Sequence, residues 1–288
     1  MKDSAPADQN AAELQPPGLY IVATPIGNLG DLSPRAARIL ASVAVIACED
    51  TRVTARLLQH IGAKTPMLPY HDHNADSVRP RLIARMGSEA IALVSDAGTP
   101  LISDPGYKLV RDARAAGITV VTIPGPCAAV AALTLAGLPT DRFLFAGFLP
   151  VKAGAKAAAI AEIAGLRASL VFYESAGRTA ATLAALAEGL GDRPAAVARE
   201  ISKRFEETVD GCLSALAARY AETPPRGEVV IVVGPPPPAT APDATTLDDA
   251  LRAALGGASL SAAASEVAVA LSLPRKAVYA RALELRGG

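Results

Sequence analysis

Six segments of this chain place acids, bases or glycines where short apolar runs stop. Residues 91–95 form one such run, β-branched at Ile91 and Val94, and read as a buried strand that ends at Asp96-Ala97-Gly98-Thr99-Pro100. In open α/β sheets, ligands bind beyond the carboxyl ends of strands. An acid there can take the amine or hydroxyls of a small polar molecule, and the following glycine lets backbone groups close on it. The other segments are Thr24-Pro25-Ile26-Gly27-Asn28-Leu29-Gly30-Asp31, Glu49-Asp50-Thr51-Arg52, Pro124-Gly125-Pro126-Cys127-Ala128, Tyr173-Glu174-Ser175 and Arg199-Glu200-Ile201-Ser202-Lys203-Arg204. A tight turn explains any one of them. Six strand-end loops of this kind point to a built site.

Several chemistries are not supported. The first loop lacks G-x-G-x-x-G and no helix opens directly after it, so a dinucleotide site is weakly supported. No Walker loop, G-x-S-x-G elbow or H-E-x-x-H occurs. His71 and His73 form a His-x-His pair, which a solvated loop explains, and no metal is expected. Cys127 reads as a small packing residue rather than a nucleophile.

The elements that must position these loops alternate. Strands are expected over 19–23, 43–47, 91–95 and 118–123. Helices are expected from Ser33-Pro34, over 54–59, 79–86 and 107–116, with Ser33 as N-cap and Pro34 at the first helical position. Such βα alternation predicts a parallel sheet covered by helices. A second unit follows, with strands over 143–149, 169–173, 195–199 and 228–234 and helices over 128–136, 155–164 and 178–190. After the tetraproline 235–238, a stiff linker, only helices are expected (250–255, 261–271 and 274–285), a helix-turn-helix-like bundle. The expected organisation is a leader over 1–17, α/β domains over 18–125 and 126–234, a linker over 235–245 and a helical tail over 246–288.

With 51% hydrophobic and 19% charged residues, the 288-residue chain is not disordered as a whole. Lys+Arg and Asp+Glu both number 28, so no global basic field marks a nucleic-acid coat protein, and DNA binding is not expected. Three distant cysteines, Cys48, Cys127 and Cys212, form neither a disulfide framework nor a CxxC site and fit a reducing cytoplasm. The polar leader matches no signal or transit peptide. Residues 115–140 carry no charge, but Pro124-Gly125-Pro126 cuts them into a strand and a helix, so no membrane segment is expected.

The order and spacing of four segments carry a resemblance: 22–28 (VATPIGN), 96–100 (DAGTP), 123–128 (IPGPCA) and 172–175 (FYES). Over 18–234 the chain resembles the tetrapyrrole-methylase-fold methyltransferases (class III) that use S-adenosylmethionine. Residues 23–36 (ATPIGNLGDLSPRA), 48–52 (CEDTR), 95–106 (SDAGTPLISDPG) and the tail's RKAVYARALEL (275–285) are similar to its branch that methylates a cytidine ribose 2′-hydroxyl in 16S ribosomal RNA. The tetrapyrrole branch favours G-x-G-P-G-D in the first loop and G-G-D-P in the third, and this chain has neither.

The resemblance implies two α/β domains with S-adenosylmethionine bound between them, a small C-terminal helical segment, and a homodimer acting on the small ribosomal subunit. Carried over by position, cofactor contacts fall on Ile26, Ala97, Gly98, Thr99, Ile102, Cys127, Ala128, Glu174 and Ile201, with Asp96 beside them. A hydroxyl acceptor benefits from a general base. Glu174, Glu200 and Asp50 could serve, as could His71 or His73, and Lys203 only if burial depresses its pKa. RNA phosphates would meet Arg35, Arg52, Arg56, Arg178 and Arg204, and the tail gathers Arg275, Lys276, Arg281 and Arg286. Two other readings stay open: a tetrapyrrole methyltransferase, and a non-catalytic RNA-binding assembly factor.

Overall fold

The computed structural model describes residues 15–237, 244–271 and 273–287. Most of the leader and the centre of the linker lie outside them. The chain divides into one unit up to Pro236 and a second from Pro237.

The first sheet consists of β1 (Gly18–Val22), β2 (Val45–Cys48), β3 (Met67–Pro69), β4 (Ala90–Val94) and β5 (Val120–Ile123). Its order is β3-β2-β4-β1-β5 and every pairing is parallel. Because side chains alternate across a strand, Tyr20 and Val22 enter one core with Ile39, Leu40 and Leu57, while Leu19 joins Leu82, Met86 and Leu109 on the other face. Those partners come from α1 (Pro34–Ser42), α2 (Thr51–His60), α3 (Ala75–Met86) and α4 (Tyr107–Ala115). Ser33 caps α1 by accepting from Ala36 N at 3.1 Å, and Asp50 caps α2 by accepting from Arg52 N at 2.8 Å. Cys48, Thr24 and Ser95 therefore end at one edge of the sheet, where the loops gather.

The second sheet is mixed. It holds β6 (Phe143–Phe148), β7 (Ser169–Ser175), β8 (Pro194–Arg199), β9 (Glu207–Cys212) and β10 (Glu228–Val233), in the order β6-β7-β10-β8-β9. Only β6 and β7 run parallel. Val229, Ile231 and Val233 of β10 point into the larger core, against α6 (Ala153–Ile163), α7 (Thr179–Leu190) and α8 (Leu213–Glu222). Val230 and Val232 face α5 (Ala128–Leu135) through Ala129, Ala132 and Leu133.

Four elements depart from the sequence expectations. β3 and β9 fall where no element was expected, and both are edge strands. An edge strand pairs on one side only, so short or polar segments such as Met67-Leu68-Pro69 suffice. α8 was also not expected, although it buries Leu213, Leu216 and Tyr220 along one face. Helix α3 starts at Ala75 rather than at 79 and carries Pro80 inside it, where the missing N–H forfeits the helical bond to Asp76 O.

The second unit holds α9 (Ala244–Leu255), α10 (Leu260–Ala270) and α11 (Arg275–Gly287) around Leu251, Leu260, Val267 and Val278. Ser259 caps α10 by accepting from Ala262 N. Asp248 binds Arg281 through two hydrogen bonds of 2.7 Å, which holds the Asp248 carboxyl below its usual range. Arg281 also donates to Glu284, and Arg275 to the hydroxyls of Ser261 and Ser265. Two of the four cations expected to face RNA are thus engaged within the bundle. No helix among the described residues is long and apolar enough to cross a membrane.

Candidate active site

Beyond the carboxyl ends of β4, β1 and β5 lies a cavity of about 460 Å³, within the range of small-molecule sites. Ile26 follows β1; Asp96, Ala97, Gly98, Thr99 and Ile102 follow β4; Cys127 and Ala128 follow β5; and Ile201 reaches in from the turn after β8. All ten residues expected at the cofactor line this one cavity, Glu174 among them. Ser103, Asp104, Phe148, Tyr173, Ser175, Ala176 and 227–230 complete its wall; of these, Phe148, Ala176 and 227–230 were not singled out from the sequence. A signal existed for Asp104, since it belongs to the same 95–106 segment. None existed for 227–230, which pairing across the second sheet brings in.

The loops are braced against one another. Thr24 and Gly98 exchange backbone hydrogen bonds of 2.8 and 3.1 Å, and Thr99 Oγ1 donates to Pro126 O at 2.8 Å. Gly98 has φ 81°, and a Cβ there would come within 3.2 Å of Ile26 Cγ2. Leu101 (φ 75°) and Ser103 (φ 63°) also adopt left-handed backbone, strain of a kind that clusters at ligand sites. Across the cavity, a bulge between Phe145 and Gly147 re-aims Phe148, whose ring centroid lies 5.6 Å from that of Tyr173. Tyr173 Oη accepts from Ala129 N at 3.1 Å; burial, then the Cys127 thiol nearby, push the phenol above its usual range. Burial also raises Asp104, reinforced by Asp96 and opposed by a hydrogen bond from Ser95.

The residues considered as bases are distributed differently. Glu174 is buried and its carboxylate is committed: Oε1 accepts from Ser175 N at 2.7 Å, and Oε2 accepts from Thr182 Oγ1 at 2.6 Å and pairs with Arg178 at 3.2 Å. Glu200 and Lys203 do not line the cavity. Lys203 Nζ donates to Glu228 Oε2 at 2.8 Å and Glu200 Oε1 at 3.0 Å. Burial pulls the lysine pKa down, but the bonds to Glu228 and Glu200 outweigh it and leave the pKa raised. The depressed pKa required of a lysine base is therefore not provided. Lys203 instead holds Glu200 below the usual carboxylate range.

Asp50 is chelated by Arg52, with Oδ2 2.6 Å from a guanidinium nitrogen, and that hydrogen bonding holds its carboxyl at about 2. His71 and His73 stand apart from the cavity, their rings 5.9 Å apart and edge-on. No group of three or more metal-ligating side chains occurs among the described residues. The arginines expected to meet phosphate form no single stripe: Arg35 and Arg56 are exposed, Arg178 binds Leu149 O, and Arg204 stacks on Phe205.

Residues 18–217 match the family of tetrapyrrole (corrin/porphyrin) methylases. The chain belongs to this family. Residues 241–286 match the RsmI C-terminal HTH domain, a family of tails. A ribosomal RNA small subunit methyltransferase I from Erythrobacter litoralis is 53% identical over 277 residues, covering 96% of this chain and 98% of that protein. One from Mesorhizobium japonicum is 48% identical over 273 residues, 94% and 92% of the two chains. Among solved structures, uroporphyrin-III C-methyltransferase of Thermus thermophilus complexed with S-adenosylhomocysteine aligns with a TM-score of 0.53 at 20% identity, over 75% of this chain and 97% of that one. This methylase fold accounts for the first unit: two sheets with a cavity where their loops meet.

Proposed function

We propose that this chain is an S-adenosylmethionine-dependent methyltransferase that modifies the ribose 2′-hydroxyl of a cytidine in 16S ribosomal RNA of the small subunit. One observation carries the reading: relatives about half identical along nearly their whole length, tail included, are named for ribosomal RNA small-subunit methylation. A tetrapyrrole substrate is disfavoured, because Ala23-Thr24-Pro25-Ile26-Gly27-Asn28 and Ala97-Gly98-Thr99-Pro100 replace the loops typical of that branch. We take 18–125 and 126–234 as the two halves of the catalytic unit, a homodimer as the working assembly and the cytoplasm as its compartment. The free Cys48, Cys127 and Cys212 suit that compartment.

The cavity fits the cofactor by shape and chemistry. Ala97, Gly98 and Ala128 leave room for an adenosyl group, Ile26 and Ile201 flank it, and Asp96 offers a carboxylate to an amine or hydroxyl. When bound, the cofactor supplies an electrophilic methyl group. The braced loops fix the angle of approach, and positioning of this kind can contribute up to about 7–11 kcal/mol. Glu174, Glu200 and Lys203 then act by holding the walls, since both oxygens of Glu174 are paired and Lys203 bridges Glu200 Oε1 and Glu228.

The test is transfer of labelled methyl from S-adenosylmethionine to small subunits isolated from cells lacking this protein, followed by mass mapping of 16S RNA. A methyl gained on a cytidine ribose is the expected result. Transfer to a porphyrinoid with none to RNA would reverse the reading, and subunit binding with no transfer at all would favour an assembly factor.

A further inference from the structure

The same edge of the first sheet carries a second recess, of about 410 Å³. Glu49, Asp50, Thr51 and Arg52 line it after β2, and His71 and His73 after β3. Among the described residues, Asp96 alone lines both this recess and the cofactor cavity. Its Oδ1 accepts from Asp50 N at 2.9 Å, so the wall between the two spaces is fixed. The two spaces are therefore neighbours that share the Asp96 side chain.

Two polar groups on residues that line the recess lack partners among the described residues. The Nδ1 of His71 is buried with no hydrogen bond among the described residues. The Glu49 carboxylate makes no hydrogen bond or ion pair among them either; burial, then the nearby Asp96, Asp104, Asp72 and Asp50, push its pKa up. Such a group is relieved by a ligand that donates. At the mouth, Arg52 is bonded to Asp50 while its side chain stays 87% exposed.

We infer that this recess is the subsite for the acceptor nucleoside, with Glu49 accepting from the exocyclic amine of its base and Arg52 meeting its phosphate. The inference rests on the RNA-methylation reading above. A carboxylate pairs with the amine of cytosine, whereas uracil presents a carbonyl at the same place. The imidazoles of His71 and His73, which line the recess, can meet a ribose hydroxyl, donor and acceptor at once. Single-stranded RNA offers both groups once the base is splayed out.

The experiment uses the full-length protein and small subunits reconstituted with cytidine or uridine at the mapped position. Glu49→Gln, whose amide can donate to a carbonyl, is expected to narrow the cytidine-over-uridine preference in kcat/KM by at least about tenfold. His71→Ala is expected to raise the KM for subunits about tenfold while calorimetric affinity for S-adenosylmethionine is unchanged. A readout without turnover is the anisotropy of a labelled 16S fragment bound in the presence of S-adenosylhomocysteine, where Glu49→Gln should equalise the two bases. If the wild type methylates the cytidine but both variants keep its preference, KM and RNA affinity, the subsite lies elsewhere and the function stands. If the wild type methylates neither RNA, the function and the subsite fall together.

Discussion

The aliphatic stem of Lys203 lies directly on the α-carbon of Gly27, and a Cβ on Gly27 would overlap the lysine Cγ. Gly27 belongs to the loop after β1 and Lys203 to the turn after β8, so this contact ties the loops of the two sheets together. Ser202 Oγ donates to Asp31 beside it. Glu200 (φ 50°) and Ser202 (φ 67°) hold left-handed backbone in the same turn, which delivers Ile201 to the cavity that Ile26 also lines. Gly27→Ala is expected to force this latch open, costing about 1–3 kcal/mol as overpacking does. Cofactor affinity should fall roughly tenfold, or about 1.4 kcal/mol. Denaturant unfolding and calorimetry measure the two effects separately.

A raised lysine pKa has a definite pH signature. Stability from Lys203 is fully present below the unfolded-state value, near 10.4, and is lost only as pH rises through the higher folded value. Across neutral pH the side chain stays a cation. Lys203→Arg should therefore retain methyl transfer, while Lys203→Met should lose cofactor affinity. A Lys203→Arg enzyme inactive at every pH, with cofactor binding intact, would restore Lys203 as a base.

Glu174 sits at the other wall with both oxygens paired. Glu174→Gln keeps the shape but weakens charge-assisted bonds to buried partners, for an expected loss of about 1.5–3 kcal/mol. The pH profile of single-turnover methyl transfer should keep its shape. A profile that loses its acidic limb, with stability unchanged, would identify Glu174 as the proton acceptor.

Gly98→Val places a β-branched side chain at φ 81°, within 3.2 Å of Ile26 Cγ2. Backbone strain should cost about 1–3 kcal/mol. Calorimetry should show cofactor affinity reduced more than about tenfold in protein that remains folded by circular dichroism.

In the helical unit, Lys276 and Arg286 are exposed on α11, whereas Arg281 is held by Asp248 and Glu284. If the tail docks RNA, the Lys276→Ala/Arg286→Ala pair should flatten the slope of log affinity against log salt by about 0.7–0.9 per lost phosphate contact. Ending the chain at Pro236 should raise the KM for subunits and leave cofactor affinity unchanged. An unchanged slope together with loss of the dimer in solution would make the tail an assembly element.

Local physics sufficed for much of this protein. Residues 91–95 and 228–233 carry the apolar, β-branched composition of central strands, Ser33-Pro34 the start of a helix, and Pro124-Gly125-Pro126 a break. Ile26, the 96–102 loop, Cys127, Ala128 and Ile201 were named as one set only through the family resemblance, and the fold places them around one cavity. The edge strands β3 and β9 were not legible, because one-sided pairing imposes no apolar pattern on their residues. Nor could sequence show that Glu174 and Lys203 are saturated with partners, that 227–230 closes the cavity, or that Asp96 separates two spaces. Those facts arise when polar groups are aimed at one another by the fold, across the 25 positions from Lys203 to Glu228 or the 46 from Asp50 to Asp96 as well as within a single turn of helix or loop. A side chain's type sets what it can donate or accept; only the neighbours that the fold supplies decide which of those capacities remain free for a ligand.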